Sequence, residues 1–516
     1  MATPKIVASY CFDDLLLRPS RSQITSRSQV NLETELGSRH RHLKLTIPLI
    51  SSPMDTVTGE RMAIKMALLG GIGIIHRYMS LEDQLAQVAN VKRYVNYIFM
   101  EPYTIIASAS VGDARLAQEE NGVSTLCVLD DRNNFIGLLT QRDLLNKLHT
   151  IQVSDIMSPI SSLYKIFISP ELASNLQTVN PASPIFADIM TRANNLMNAF
   201  AIEKIPLFIE TDGVPLALFG LVTRRSVQHY FDNQSSASLD SRGRLRVGAA
   251  IGIRPGYLEH TAKLVESGVD IVCVDVANGH NSGTLDAVRQ LRAQFPDLVI
   301  MAGNICTLEG YIDLVEAGAD CIRVGIGNGS ICTTRLETGA GFGQWSALQE
   351  CADYIFARPD YAQMPKLICD GGTLNKTGNK VKALAIGSSA IMMGRTLGSC
   401  DESPGQVIHR NGKRMKYFRG MASTMANLSK QESQQTSQSH KRKLETEFTA
   451  EGVDGVVELK GSVQDVITQI TGGLRSGLSY QGASSILELH GKYASLEWGL
   501  CTAIGQSETG IRVTTL

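Results

Sequence analysis

The residues best suited to chemistry lie in one run, Gly325-Ile-Gly-Asn-Gly-Ser-Ile-Cys-Thr-Thr-Arg335. It sets a single thiol, Cys332, between three alternating glycines and two threonines. Glycines permit tight turns and let backbone amides and carbonyls come close to a ligand. Donors near sulfur favour the thiolate, the form that attacks carbon. The run follows a short apolar segment, Cys321–Val324, that reads as a strand. A reactive residue just past a strand end is where α/β enzymes place their chemistry. Asp370 is a second candidate, because it ends an apolar run and precedes Gly371 and Gly372. Its alternative reading is a helix N-cap.

The elements needed to position these residues are legible as a rhythm. Candidate strands are Pro48–Ser52, Ile72–His76, Val247–Ile251, Ile271–Asp275, Val299–Gly303, Cys321–Val324, Leu367–Asp370 and Ala390–Gly394. Helical periodicity falls between them over Leu258–Ser267, Thr284–Gln294 and Leu308–Ala317. The strands are near-continuous apolar runs, as expected where both faces are covered. This pattern predicts an α/β fold, a (β/α)8 TIM barrel.

The interval 100–232 breaks the rhythm. Val128-Leu-Asp130 followed by Phe135–Asp143 resembles Ile205–Ile209 followed by Phe219–Ser226, each reading strand, turn, strand, helix start. Asp155-Ile-Met-Ser-Pro159 and Asp188-Ile-Met-Thr191 look like matching entry segments. A repeat of this kind predicts an inserted regulatory module. The expected organisation is therefore barrel over 1–99, module over 100–232 and barrel again over 233–516. The polar stretch Asp232–Arg244 reads as the hinge back. The stretch 425–451, with a polar core at 429–443, reads either as a surface loop or as a mobile lid.

Composition excludes several classes. Net charge is −1 and pI near 6.8, so nothing draws the chain to nucleic acid or an anionic membrane. The ten cysteines form no C-x-x-C pair, which argues against zinc and a disulfide framework and fits a reducing compartment. No apolar leader and no apolar run of about 18 residues is seen, so neither a secretory signal nor a membrane span is expected. The C-terminal Thr-Thr-Leu516 is a loose echo of a peroxisomal address. The cytoplasm is the expected location, with a peroxisome-like microbody (a glycosome) as the alternative.

Several motifs together resemble one family, inosine-monophosphate dehydrogenase and guanosine-monophosphate (GMP) reductase. They are Ser51-Ser-Pro-Met-Asp-Thr-Val57, Gly70-Gly-Ile-Gly-Ile-Ile-His76, the Cys332 loop, Asp370-Gly-Gly372, Arg419-Gly-Met421 and Gly472-Gly-Leu-Arg-Ser-Gly477. The resemblance implies attack of Cys332 on C2 of a purine nucleotide, with hydride exchange between C2 and a nicotinamide. Thr334 and Glu451 would move protons, although Glu451 also reads as a solvated turn carboxylate. Ser52, Met54, Ser330, Asp370, Gly371, Gly372, Gly394, Arg395, Arg419, Gly420 and Met421 would bind GMP or inosine monophosphate (IMP). Asp370 would take the ribose, and Gly372 and Ser330 would donate to the phosphate. Phe418 stands where relatives carry a phosphate-binding tyrosine, and Arg395 where they carry serine. A guanidinium can replace the lost hydroxyl as a phosphate donor.

Asp275, Ala277, Asn278, Gly325 and Thr334 would meet NADPH. Carbonyls of Gly325, Gly327 and Cys332 would form a potassium (K+) site, with Asn328 where relatives have a stiffening proline. The insertion resembles a tandem CBS (Bateman) module, with a regulatory purine nucleotide at Thr140 and Asp143. The second repeat has Ser226 at the position of Asp143. A homotetramer is implied, with a CBS-driven octamer as the alternative.

The resemblance points to the reductase, with the dehydrogenase as the alternative and a non-catalytic nucleotide sensor as a remote third. The dehydrogenase uses an Arg-Tyr pair on its flap to activate water. Here no tyrosine occurs between Tyr417 and Tyr480, and Arg442 is followed by Lys443. Asp275-Val-Ala-Asn-Gly279 is the reductase form, whereas the insertion and Ser-Pro-Met-Asp-Thr-Val-Thr58 are commoner in dehydrogenases.

Overall fold

The computed structural model describes the chain except residues 1–5, 95–96, 101, 177–183, 212–213, 234–235, 374–375, 411, 427, 429–449, 496–498 and 503–516. Most of the expected lid, including Arg442 and Lys443, and the C-terminal Thr-Thr-Leu therefore lie outside the described residues.

A closed barrel of eight parallel strands forms the larger unit. The strands are β1 Leu49–Ser51, β2 Ile72–Ile75, β3 Val247–Ile251, β4 Ile271–Asp275, β5 Val299–Ile305, β6 Cys321–Val324, β7 Lys366–Asp370 and β8 Ser388–Met393. These match the eight predicted from sequence, with shifts of a residue or two at their ends. β3 and β2 pair in parallel to close the ring. All five residues of β3 are buried, as expected for a strand covered on both faces.

Helices begin where the sequence offers caps. Thr307 accepts from the Gly310 amide to start Leu308–Glu316, and Asn281 accepts from the Thr284 amide to start Ser282–Gln294. Inside the ring, Ile50, Ile74, Ala250, Cys273, Met301, Cys321, Ile368 and Met392 belong to one buried cluster. A hairpin, Thr34–Ser38 with Arg41–Leu45, adds Leu36, Leu43 and Leu45 to that cluster. The hairpin is tied by Ser38 and Arg41, both donating to Asp320 just before β6.

The second unit comprises Val95–Ser235 with Leu239–Arg244, so it starts slightly earlier than the predicted 100. It holds two sheets of similar plan. In one, Thr104–Ile106 runs parallel to Thr125–Leu129, which pairs antiparallel with Phe135–Thr140. In the other, Ile166–Ile168 runs parallel to Lys204–Thr211, which pairs antiparallel with Val214–Thr223. The repeat read from sequence is thus real, and each copy begins one strand earlier than the motif suggested.

Two details differ from expectation. The second hairpin leads into a helix, Arg224–Asn233, but the first leads into consecutive turns through Asn146, which has φ +57°. Asp188-Ile-Met-Thr191 lies inside the helix Pro184–Phe200, whereas Asp155 ends a short 3-10 turn. The two Asp-Ile-Met segments are therefore not equivalent, because similar triplets take whichever structure their surrounding apolar spacing demands. The predicted hinge is an ordered turn in part, since Asp240 Oδ1 accepts from the amides of Arg242 and Arg244. No helix among the described residues is long and apolar enough to cross a membrane.

Candidate active site

The C-terminal strand ends surround a cavity of about 300 Å³. Cys332, Thr334, Asp370, Asp275 and Arg395 all line it, as do Ser52, Met54, Ser330 and the glycines 325, 327, 371, 372, 394 and 420. Met421, Ala277 and Glu451 complete the predicted residues found there.

The Cys332 loop is held by the chain from Glu451 onward. Cys332 forms an antiparallel bridge with Gly452. Val453 donates its amide to Ile331 at 3.0 Å, and Thr333 donates its amide to the Glu451 carbonyl at 2.9 Å. This stitching carries the Glu451 carboxylate to Thr334. The Cys332 sulfur lies 3.1 Å from Thr334 Oγ1, which donates to Glu451 Oε2 at 2.8 Å. A threonine hydroxyl has one proton and two lone pairs. While that proton points at Glu451, Thr334 can only accept from the Cys332 thiol. The three groups thus form a path by which the thiol proton reaches a carboxylate. Cys332 is half-buried, whereas Cys273, Cys321, Cys351, Cys369 and Cys400 are buried. Burial pushes Cys369 and Cys400 up to about 12, which keeps them as inert thiols.

Arg323 joins the two carboxylates at the strand ends. It donates to Asp370 Oδ2 at 2.8 Å and to Asp275 Oδ1 at 2.9 Å. Burial alone would depress its guanidinium, but Cys273, Asp370 and Asp275 outweigh that and hold it firmly charged. Asn304 also donates to Asp370 Oδ2, at 2.9 Å. No hydrogen bond from the described residues falls on Asp370 Oδ1, which leaves that oxygen for a ligand. Arg77 flanks Asp275 from the other side, donating to its carbonyl at 3.0 Å. The Tyr78 hydroxyl donates to the Met421 carbonyl at 2.9 Å and so fixes one wall. Burial raises Tyr78 to about 12, so it stays a donor.

Arg395 is exposed at the cavity and makes no hydrogen bond or ion pair with the described residues. Phe418 is buried behind it, so close to Gly398 that a Cβ there would sit 2.8 Å from the ring.

Two predicted residues stand elsewhere. Arg419 is absent from the cavity lining and forms an ion pair with Asp55, donating to Oδ2 from both Nε and Nη2. The nearby carboxylate captures the guanidinium and raises its affinity for protons against the cost of burial. Asn278 is exposed beyond the lining and accepts from the His280 amide. In the other unit, Asp143 Oδ2 accepts from both the amide and hydroxyl of Thr140 at 2.7 Å. Thr223 and Ser226 close the same turn in the second repeat, with their hydroxyls 2.7 Å apart.

The expected cation cage fits poorly. The Gly325 carbonyl accepts from Asn304 at 2.8 Å, and Arg335 donates to the Ile326 carbonyl at 3.1 Å. The Arg335 side chain also packs against Gly327. A guanidinium beside these carbonyls repels a second cation, so the loop does not fit potassium.

Sequence reasoning missed Arg77, Tyr78, Asn304 and Arg323. Arg323 had a signal, because a charge inside an otherwise apolar strand requires buried partners. Arg77, Tyr78 and Asn304 carried none, since each acts through contacts distant in sequence.

The family described as "IMP dehydrogenase / GMP reductase domain" matches residues 9–511. The chain is 38% identical over 478 residues to inosine-5′-monophosphate dehydrogenase of Nitrosopumilus maritimus, covering 93% of each. It is 37% identical over 494 residues to GMP reductase of Leishmania major, covering 94% of each. The crystal structure of a cysteine-to-alanine variant of Trypanosoma brucei GMP reductase with guanosine 5′-monophosphate superposes with a TM-score of 0.81 at 34% identity. That match covers 99% of this chain and 98% of the other. With a matching barrel, a thiol at the strand ends and similarity along nearly its whole length, the chain belongs to the IMP dehydrogenase/GMP reductase family of oxidoreductases.

Proposed function

We propose that the chain is a GMP reductase, converting GMP, NADPH and a proton to IMP, NADP+ and ammonia. The observation that carries this reading is the absence of any tyrosine between Tyr417 and Tyr480. A dehydrogenase must activate water to hydrolyse its covalent intermediate, and the lid here lacks the Arg-Tyr pair for that task. A reductase needs only to expel an amine and then the sulfur, for which a hydroxyl–carboxylate path suffices.

In this reading Asp370 Oδ1 accepts from the ribose hydroxyls, while Ser330, Gly372 and Arg395 hold the phosphate. Cys332 gives its proton to Thr334 and Glu451 as sulfur bonds to C2 of the purine and the C2–N3 double bond opens onto N3. Glu451, through Thr334, returns that proton to the 2-amino group, which departs as ammonia while the C2–N3 double bond re-forms, leaving a thioimidate on Cys332. Asp275, Val276 and Ala277 line the remaining cavity beside Cys332, and a carboxylate with an apolar wall suits a nicotinamide riboside. When bound there, the reduced nicotinamide supplies a hydride to C2. Cys332 then leaves as thiolate as the C2–N3 double bond re-forms, and the proton that the overall reaction consumes reaches it from solvent through Glu451 and Thr334.

The insertion, in this proposal, is a tandem CBS module that binds a purine nucleotide at Thr140 and Asp143. A homotetramer in the cytoplasm belongs to the same reading. A second reading, IMP dehydrogenase, is favoured by the identity to the Nitrosopumilus maritimus enzyme. Incubating the full-length chain with GMP and NADPH should oxidise NADPH and yield IMP. No reaction there, with NADH formed from IMP and NAD+, would overturn the reductase in favour of the dehydrogenase.

A further inference from the structure

The loop carrying Cys332 and the turn carrying Asp370 are locked together by two amide side chains. Asn328 Nδ2 donates to the Asp370 carbonyl at 3.0 Å and also to Gln344 Oε1. Gln344 Nε2 in turn donates to the Val324 carbonyl at 2.7 Å. The orientation of both amides follows from their partners, since a backbone carbonyl can only accept. Gln344 is 2% exposed, so this is a built interior contact rather than a surface one.

Three glycines make room for the pair. A Cβ at Gly325 would lie 2.7 Å from Asn328 Nδ2, one at Gly371 would lie 2.6 Å from Asn328 Oδ1, and one at Gly372 would lie 2.9 Å from Gln344 Cγ. Gly371 and Gly372 also have φ of +79° and +72°, which bends the turn toward the amides. The nucleophile loop is therefore braced by side-chain hydrogen bonds, although Asn328 brings no ring to stiffen it.

We propose that Asn328 and Gln344 form one positioning unit that fixes the Cys332 sulfur relative to the nucleotide seated by Asp370. This rests on Cys332 being the nucleophile and Asp370 a nucleotide ligand. Neither amide touches the reacting atoms. Their role is to make the binding turn and the attacking loop a single rigid frame, so that bound nucleotide meets sulfur already aligned.

The test uses full-length Asn328→Ala, Gln344→Ala and the double variant, with Asn328→Asp as a variant of equal size that loses both donors. Turnover is measured with whichever nucleotide and dinucleotide the wild type accepts. Nucleotide affinity is measured by calorimetry in a Cys332→Ala background. Each single variant should lower kcat by about 10- to 100-fold, as expected for misalignment on the ångström scale. Nucleotide affinity should stay within about threefold, and the double variant should be no slower than the slower single one, as for residues acting as a unit. Multiplying losses, weakened binding with intact kcat, or unchanged kinetics in a folded Asn328→Asp would each overturn the proposal. A wild type that turns over neither substrate pair would instead remove the functional reading beneath it.

Discussion

The Cys332 sulfur lies 3.1 Å from the Thr334 hydroxyl, two residues along the same loop. Thr334 in turn donates to Glu451, which is 117 residues away in sequence. If this is the working proton path, Glu451→Gln should lower kcat by about 10²- to 10⁴-fold, the usual weight of general acid–base catalysis. Nucleotide affinity should hardly change, because Glu451 serves the proton rather than the ligand. Thr334→Ser should retain most activity, since it keeps the hydroxyl, whereas Thr334→Ala should resemble Glu451→Gln. Steady-state kinetics and calorimetry separate these outcomes.

Arg395 offers the cavity a guanidinium with no partner among the described residues, while Phe418 offers no hydroxyl. Arg395→Ala should weaken GMP binding by about 10- to 100-fold, the weight of a charge-assisted hydrogen bond. The wild-type affinity should fall with added salt more steeply than that of the variant. Guanosine, which has no phosphate, should bind both proteins alike. Equal GMP affinity in the two proteins would exclude Arg395 from the phosphate site.

Arg323 bridges Asp275 and Asp370 from a side chain only 7% exposed. Arg323→Met would leave two carboxylates facing each other without their shared cation. Breaking a buried pair in this way costs about 3–5 kcal/mol. Thermal or urea unfolding should show a loss of that order, and Arg323→Lys should recover part of it by restoring charge without the fork.

His76 is buried, and that burial lowers its pKa from 6.5 to about 4. Between those values the unfolded chain binds a proton that the folded chain refuses. Stability therefore rises with pH across this window and is lost as pH falls from about 6.5 toward about 4. The full shift amounts to roughly 3 kcal/mol for this one group. His76→Asn keeps an acceptor for the Tyr78 amide and should flatten the fall of melting temperature over that range.

In the inserted unit, calorimetry with ATP, GTP and GMP tests the proposed nucleotide site. Asp143→Ala should abolish one binding event, because its carboxylate both closes the Thr140 turn and offers a further acceptor. Ser226→Ala should have a smaller effect. No binding to the wild type at millimolar nucleotide would exclude the site.

The chain's local patterns determined much of this protein. Apolar runs of strand length separated by helical periods specified the eight-stranded barrel, because burial on both faces leaves a signature in consecutive residues. Glycines around Cys332 and after Asp370 marked the loops that line the cavity, because backbone that approaches a ligand excludes side chains. Tertiary structure decided what local pattern could not carry. Arg419 belonged to the motif, yet Asp55, brought close by folding, draws it out of the cavity. Glu451 was ambiguous until the bridge between Cys332 and Gly452 set it against Thr334. Asn328 reads in sequence as the loss of a stiffening ring, but contact with Gln344 and Asp370 makes it a brace. Hydrogen bonds and ion pairs act over a few ångströms whatever the chain separation, so their partners are fixed only once the barrel has closed.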